Sequence, residues 1–98
     1  MSHIFQTTDK SGRKIHLSKE RWNHINQEHP EVSEYLEEIK ETLKSPTKLK
    51  EVDYDEDIRY FYDYYKSRKA EAKYLLVIVK YLNGEGFIIT AYFVRNIK

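Results

Sequence analysis

Residues 73–82, KYLLVIVKYL, are apolar almost without a break. A strand wetted on one side alternates apolar and polar residues, so an unbroken run of this length reads as a central strand covered on both faces. Asn83-Gly84-Glu85-Gly86 follows as a strong hairpin turn, and residues 87–94, FIITAYFV, read as the returning strand. A chain carrying this hairpin is committed to a sheet. Lys80 is the one charge inside the run and requires a partner or an exit to water. A turn of this length leaves the strand register open, and with it whether Lys80 faces Thr90. Alternation along 87–94 predicts Phe87, Ile89, Ala91 and Phe93 on the side facing the helices, with Thr90 and Tyr92 on the open side.

The other elements can be placed around that hairpin. Residues 3–8 and 13–17 read as two short extended segments joined by the turn Asp9-Lys10-Ser11-Gly12. Ser18 is a good N-cap, and Leu17 and Trp22 occupy the positions of a hydrophobic staple, so helix one begins at Ser18. Trp22, Ile25 and His29 fall on one side of it, and Arg21, His24 and Glu28 on an adjacent side. Pro30 suits the first position of a second helix, whose apolar stripe is Val32, Leu36, Ile39 and Leu43 and which Ser45-Pro46 stops. Residues 47–53 form a weak edge strand, 53–57 an acidic turn, and 58–65, IRYFYDYY, a segment of high β propensity; 66–72, KSRKAEA, is a basic connection. The expected fold is α+β: an N-terminal β-turn-β unit and two helices packed on a mainly antiparallel sheet of about four strands, in one domain spanning residues 1–98.

Several function classes are disfavoured. Cysteine is absent, which removes disulfides, thiol catalysis and thiolate zinc sites. No apolar run approaches the length of about 20 residues needed to span a bilayer, and MSHIFQTTDK lacks the apolar core of a secretory signal, so a cytoplasmic protein is expected. There is no G-x-G-x-x-G and no P-loop, so no cofactor is expected. The net charge of +1 hides a segregation: residues 1–27 carry a net +3, 28–57 a net −7 and 58–98 a net +5. Ends that meet in space would form a basic side able to hold phosphates, although an ordinary solvated charge mixture accounts for the same counts.

The residues able to carry chemistry are few. His24 lies on a polar helix face between Arg21 and Glu28, which push its charge state in opposite directions and suit it to proton exchange near neutral pH; an exposed surface histidine fits equally well. His29, just before Pro30, reads first as a packed corner between the helices. The two are five apart, whereas a shared helical metal site wants a spacing of four, so no metal is expected. Tyr60, Tyr62 and Tyr64 share one strand face and Arg59, Phe61, Asp63 and Tyr65 the other. Such rings can stack nucleobases while Arg or Lys holds the backbone, or they can form a core with hydroxyls reaching water. Thr90 and Tyr92, side by side on a strand, suit either a phosphate or cross-strand packing.

The order RWNHI in helix one, HPEV opening the next helix, KSPTKLKEV, and the closing strands YLLVIVKYL and FIITAYF resembles the phage-associated barnase/EndoU/colicin/RelE-like nucleases over roughly residues 3–95. The most specific parts are the W-x-H-I-x-x-x-H-P string and the terminal I-T-A-Y strand. The resemblance implies a RelE/barnase-like domain that cleaves RNA without a metal. The 2′-OH attacks the adjacent phosphate, leaving a 2′,3′-cyclic phosphate and a 5′-OH. Carried onto this sequence, the catalytic residues are His24 as the best base or acid, with His29 a second candidate, together with Arg59, Thr90 and Tyr92, and His29, Arg21, Lys80 and Tyr62 bind substrate. RNA is the implied partner, a toxin or mobile-element effector the implied role, and a cognate antitoxin or inhibitor protein a further partner class. The modest overall charge departs from what a freely acting RNase of this size would carry. A non-catalytic RNA- or protein-binding module using the tyrosine-rich sheet face is the alternative. The sequence is silent on oligomeric state.

Overall fold

A computed structural model of the chain describes residues 3–97. Its elements are β1 (His3–Thr8), β2 (Lys14–Ser18), α1 (Lys19–Glu28), a single 3-10 turn (Pro30–Val32), α2 (Leu36–Lys44), β3 (Lys48–Val52), β4 (Asp55–Tyr64), β5 (Tyr74–Leu82) and β6 (Glu85–Val94). The apolar run is central as expected: β5 pairs antiparallel with β4 and β6 in a sheet ordered β1-β2-β6-β5-β4-β3.

The sheet is larger than the sequence predicts, with six strands rather than about four, and it is mixed. The N-terminal hairpin is part of it, because β2 runs parallel to β6 through the pairs Ile15 with Gly86 and His16 with Phe87. Gly86 makes that approach possible. A Cβ there would lie 2.4 Å from Ile15 Cδ1 and 2.8 Å from Val79 Cγ1, closer than packed carbons approach. Nothing in the local pattern of either strand announces a parallel partner so far away in the chain.

Helix one starts where its signals place it. Ser18 caps α1, its hydroxyl accepting from Arg21 N at 3.1 Å. The second helix is shorter than predicted. Pro30 opens only a 3-10 turn, and α2 begins after Tyr35, whose carbonyl accepts from Ile39 N at 2.9 Å. The apolar stripe survives the break: Val32, Ile39 and Leu43 are fully buried with Ile25, Leu17, Leu75, Val77 and Ala91 in the core under the helices. That core holds fifteen buried residues, so the sheet and helices meet over one continuous apolar layer.

The hairpin between β5 and β6 turns on two residues. Asn83 and Gly84 have φ of 55° and 82°, and Leu82 pairs with Glu85, the geometry of a type I′ turn. A bulge then interrupts β6: Ile78 pairs with Thr90 and Val79 with Ile88, leaving Ile89 unpaired. This corrects the predicted alternation. Ile88, Ala91 and Phe93 face the helices, while Phe87 and Ile89 lie on the other face. Thr90 and Tyr92 stay on the face away from the helices because the bulge lies before them.

Candidate active site

The face away from the helices is a tyrosine face with lysines at its rim. Residues directly opposite in an antiparallel pair share a face, so Lys48 and Lys50 on the edge strand β3 accompany Tyr62 and Tyr60 on β4. Beneath the rings lies a second small core of Ile58, Tyr62, Leu76 and Ile78, against which Tyr60, Tyr74, Ile89, Tyr92, Val94 and Ile97 pack. Tyr62 is only 1% exposed, its ring 6.3 Å from Tyr60 and 6.5 Å from Tyr74 between centroids. A ring packed on both sides offers no surface to a base, so Tyr62 is core rather than platform. The exposed tyrosines among the described residues are Tyr54 and Tyr64, at 68% and 45%. Tyr54 and Tyr60 join their hydroxyls at 2.9 Å, and that bond, with burial, pushes the Tyr60 phenol up to about 12.

Two histidines among the described residues reach this face, His16 beside Phe87 and His29 beside Tyr92. β2 leaves the edge of β6 after two residue pairs, and the vacated stretch of the β6 edge lies against α1 and the 3-10 turn. His29, at the corner between them, lays its imidazole on the ring of Tyr92, with centroids 4.6 Å apart and planes at 18°. Its Nδ1 lies 3.8 Å from Glu31, and the side chain keeps 30% exposure. Thr90 is the neighbouring residue on the same face of the same strand, one same-face step of roughly 7 Å from Tyr92. Its Oγ1 is buried and has no hydrogen-bond partner among the described residues. A buried hydroxyl without a partner costs about 1–3 kcal/mol. His29, Tyr92 and Thr90 therefore bring an imidazole, a phenol and a buried, unsatisfied hydroxyl together along one short stretch of the sheet.

The other predicted site residues fall elsewhere. His24 stands on the outer face of α1, 59% exposed, with Glu28 3.8 Å away, and it lines a small polar hollow with Glu20 and Arg21 to which neither Thr90 nor Tyr92 contributes. Arg59 is opposite Val79 and shares the helix side of β4 with Phe61, so the thickness of the sheet separates it from Thr90 and Tyr92. Its guanidinium donates to the carbonyls of Glu56 and Ile58 at 2.6 and 3.0 Å. Lys80 is on the tyrosine face, opposite Phe87 and one same-face step from Ile78, the partner of Thr90. It is held by an ion pair to Asp55. The hydrogen bond between the two raises the lysine and lowers the carboxyl, so both are charged at neutral pH. The four residues expected to share one cleft thus divide between two faces and a helix surface, and the pair brought together is Thr90 with Tyr92.

Sequence reasoning passed over His16. Alternation in IHLS puts Ile15 and Leu17 in the core and turns His16 to the opposite face, where it stacks on Phe87 at 5.1 Å and its Nε2 meets Glu85 at 2.5 Å. Among the described residues no three His, Asp or Glu side chains gather as they would to hold a metal ion.

Of the known families, the one described as phage-Barnase-EndoU-ColicinE5/D-RelE like nuclease 2 matches residues 4–97. The chain belongs to this nuclease family. No curated protein and no solved structure matches it. The family's description points to a nucleic acid as substrate, and the tyrosine face with its lysine rim is a surface chemically suited to one. No helix among the described residues is long and apolar enough to cross a membrane.

Proposed function

We propose that this nuclease cleaves RNA without a metal, and that His29, Tyr92 and Thr90 carry the reaction. The observation that supports this most is the stack of His29 on Tyr92 beside the unsatisfied Thr90 hydroxyl. His29 takes the proton of the 2′-OH as that oxygen attacks the adjacent phosphorus, while solvent water protonates the departing 5′ oxygen; imidazole suits this transfer near neutral pH. Tyr92 and Thr90 donate hydrogen bonds to the non-bridging oxygens, whose charge grows in the transition state. The phosphorus–O5′ bond breaks, leaving a 2′,3′-cyclic phosphate and a 5′-OH. Lys48 and Lys50 supply positive charge on the same face, where Lys80 shares its charge with Asp55. His24 and Arg21, on the outer face of α1, act at most on the flanking strand of the substrate.

The family's description, which groups it with phage, colicin and RelE-like nucleases, supports a role as a toxin or mobile-element effector in the cytoplasm, held in check by a cognate antitoxin or inhibitor protein. Digestion of total RNA in EDTA followed by end-group analysis tests the chemistry. Cyclic phosphate ends are expected. Cleavage that needs added magnesium, or that leaves 5′-phosphates, overturns the mechanism.

A second reading, a non-catalytic RNA- or protein-binding module, is favoured by the exposed Tyr54 and Tyr64 at the rim of the tyrosine face. It predicts RNA binding that weakens steeply with salt and no cleavage; binding indifferent to salt points to a protein partner.

A further inference from the structure

Arg59 has no part in the proposed reaction, yet its side chain is held at the wall of a cleft on the helix side of the sheet. The turn between β1 and β2 folds over the helix side of the sheet and borders a cleft of about 160 Å³ whose walls include Asp9, Lys10, Ser11, Arg13, Arg59 and Tyr81. That volume is roughly five times the share of one liquid water, about 30 Å³, which accommodates a tetrahedral anion with attending water.

The cleft is built rather than incidental. Asp9 is 7% exposed and both its oxygens are committed: one accepts from Ser11 N at 2.8 Å, Ser11 Oγ at 2.7 Å and Arg13 N at 3.0 Å, and the other from the Tyr81 hydroxyl at 2.5 Å. Lys10 N donates to Leu43 O at 3.0 Å and ties the same turn to the end of α2. The turn is thereby locked with its basic side chains around the opening. The Arg13 guanidinium lies 5.0 Å over the centroid of the Tyr81 ring. Arg59 is aimed by its two carbonyl contacts, and its nearest carboxylate, the exposed Glu51, is 4.0 Å away. The Arg13 and Lys10 side chains have no carboxylate within ion-pair distance among the described residues. Three cations lining one cleft, with the buried Asp9 carboxylate committed to its own loop and to Tyr81, raise the local potential and await an anion. Arginine forks suit the oxygens of a phosphate better than a point charge does.

We propose that this cleft is a second, separate binding site, on the helix side of the sheet, for a phosphate group carried by Arg13, Arg59 and Lys10. It is distinct from the stretch around His29. Tyr81 lies five residues along β5 from Leu76, the partner of Tyr92, a separation of about 16 Å along the strand, and it faces the other way.

The test is an NMR titration of the folded protein, following the backbone and arginine Nε–H signals, with inorganic phosphate, uridine 5′-monophosphate and a short single-stranded RNA made uncleavable by 2′-O-methylation. Saturable shifts confined to Ser11, Arg13, Arg59 and Tyr81 are expected. Arg13→Gln, an exposed position whose change leaves the core intact, should weaken them roughly tenfold by removing a charge-assisted hydrogen bond. Equal affinity for phosphate and nucleotide assigns the site to a free phosphate group; much tighter binding of the RNA assigns it to a strand that continues onto this side. Shifts that grow without saturating, or that are the same in Arg13→Gln and Arg59→Gln, overturn the site. A glutamate-rich peptide that binds there more tightly than every phosphate probe overturns the phosphate assignment. His29→Ala should leave the titration unchanged, so the outcome here is independent of whether RNA cleavage is found.

Discussion

The imidazole of His29 lies on the ring of Tyr92, 4.6 Å between centroids and 18° from parallel. That contact joins the corner between α1 and the 3-10 turn to the open face of β6. It brings a residue with an evident packing role against Tyr92, whose same-face neighbour on β6 is Thr90. A stacked ring is also an oriented ring, and orientation is what proton transfer to a bound substrate requires.

Thr90→Val separates function from stability. The Thr90 hydroxyl is buried without a partner, so its removal should leave thermal stability equal or slightly higher. RNA cleavage should fall roughly tenfold, because a donor to the phosphate is lost. Thermal melts and single-turnover rates on the same sample check both halves. A variant that loses stability while keeping its rate contradicts the assignment.

Gly86→Ala should destabilise the fold. The new Cβ meets the fully buried Ile15 and Val79 at 2.4 and 2.8 Å, where the parallel pairing of β2 and β6 leaves no room to yield. Overpacking of this kind costs about 1–3 kcal/mol. A chemical denaturation curve should show a lower midpoint with an unchanged slope.

Tyr54→Phe should change the alkaline titration of Tyr60. The bond between the two hydroxyls is the largest cause holding the Tyr60 phenol at about 12, so losing it should bring the phenol back toward 10. Absorbance of tyrosinate against pH measures the shift. A folded-state pKa above the unfolded one stabilises the protein below pH 10, and that stabilisation disappears as pH rises through about 12.

Asp9→Asn should weaken the protein at neutral pH and matter less in acid. Burial opposes the Asp9 charge, but the bonds from Tyr81, Ser11 and the Arg13 amide outweigh it and hold the carboxyl below its ordinary value. The stabilisation is present above the unfolded value of 3.8 and is lost as pH falls through the lower folded one. Denaturation of the wild type and Asp9→Asn at pH 7 and pH 3 should show a difference of at least about 1.5 kcal/mol that shrinks on acidification.

Local signals in the sequence carried far. Ser18 capped a helix, Asn83-Gly84 made a hairpin, and the Val32–Leu43 stripe found the core, because each depends on neighbours within one or two turns. What was not legible depends on distant partners. The parallel contact of β2 with β6 rests on Ile15 meeting Gly86 across most of the chain, and it added two strands to the predicted sheet. The bulge at Ile89 sent Phe87 and Ile89 to the unexpected face, since alternation has no memory across an unpaired residue. At the candidate site, Thr90 and Tyr92 were visible as neighbours on one strand. From the sequence, His29 reads first as a corner and ranks behind His24 as base or acid, because helical position alone does not say which end of a helix meets the sheet. Arg59 was grouped with Thr90, although alternation along β4 had already put it on the Phe61 side.

The central claim is that His29, not His24, moves the proton. Single-turnover cleavage of a short RNA in EDTA should fall by about 10²–10⁴-fold in His29→Ala and stay within roughly threefold of wild type in His24→Ala. The reverse pattern, with His24→Ala inactive and His29→Ala close to wild type, would contradict it.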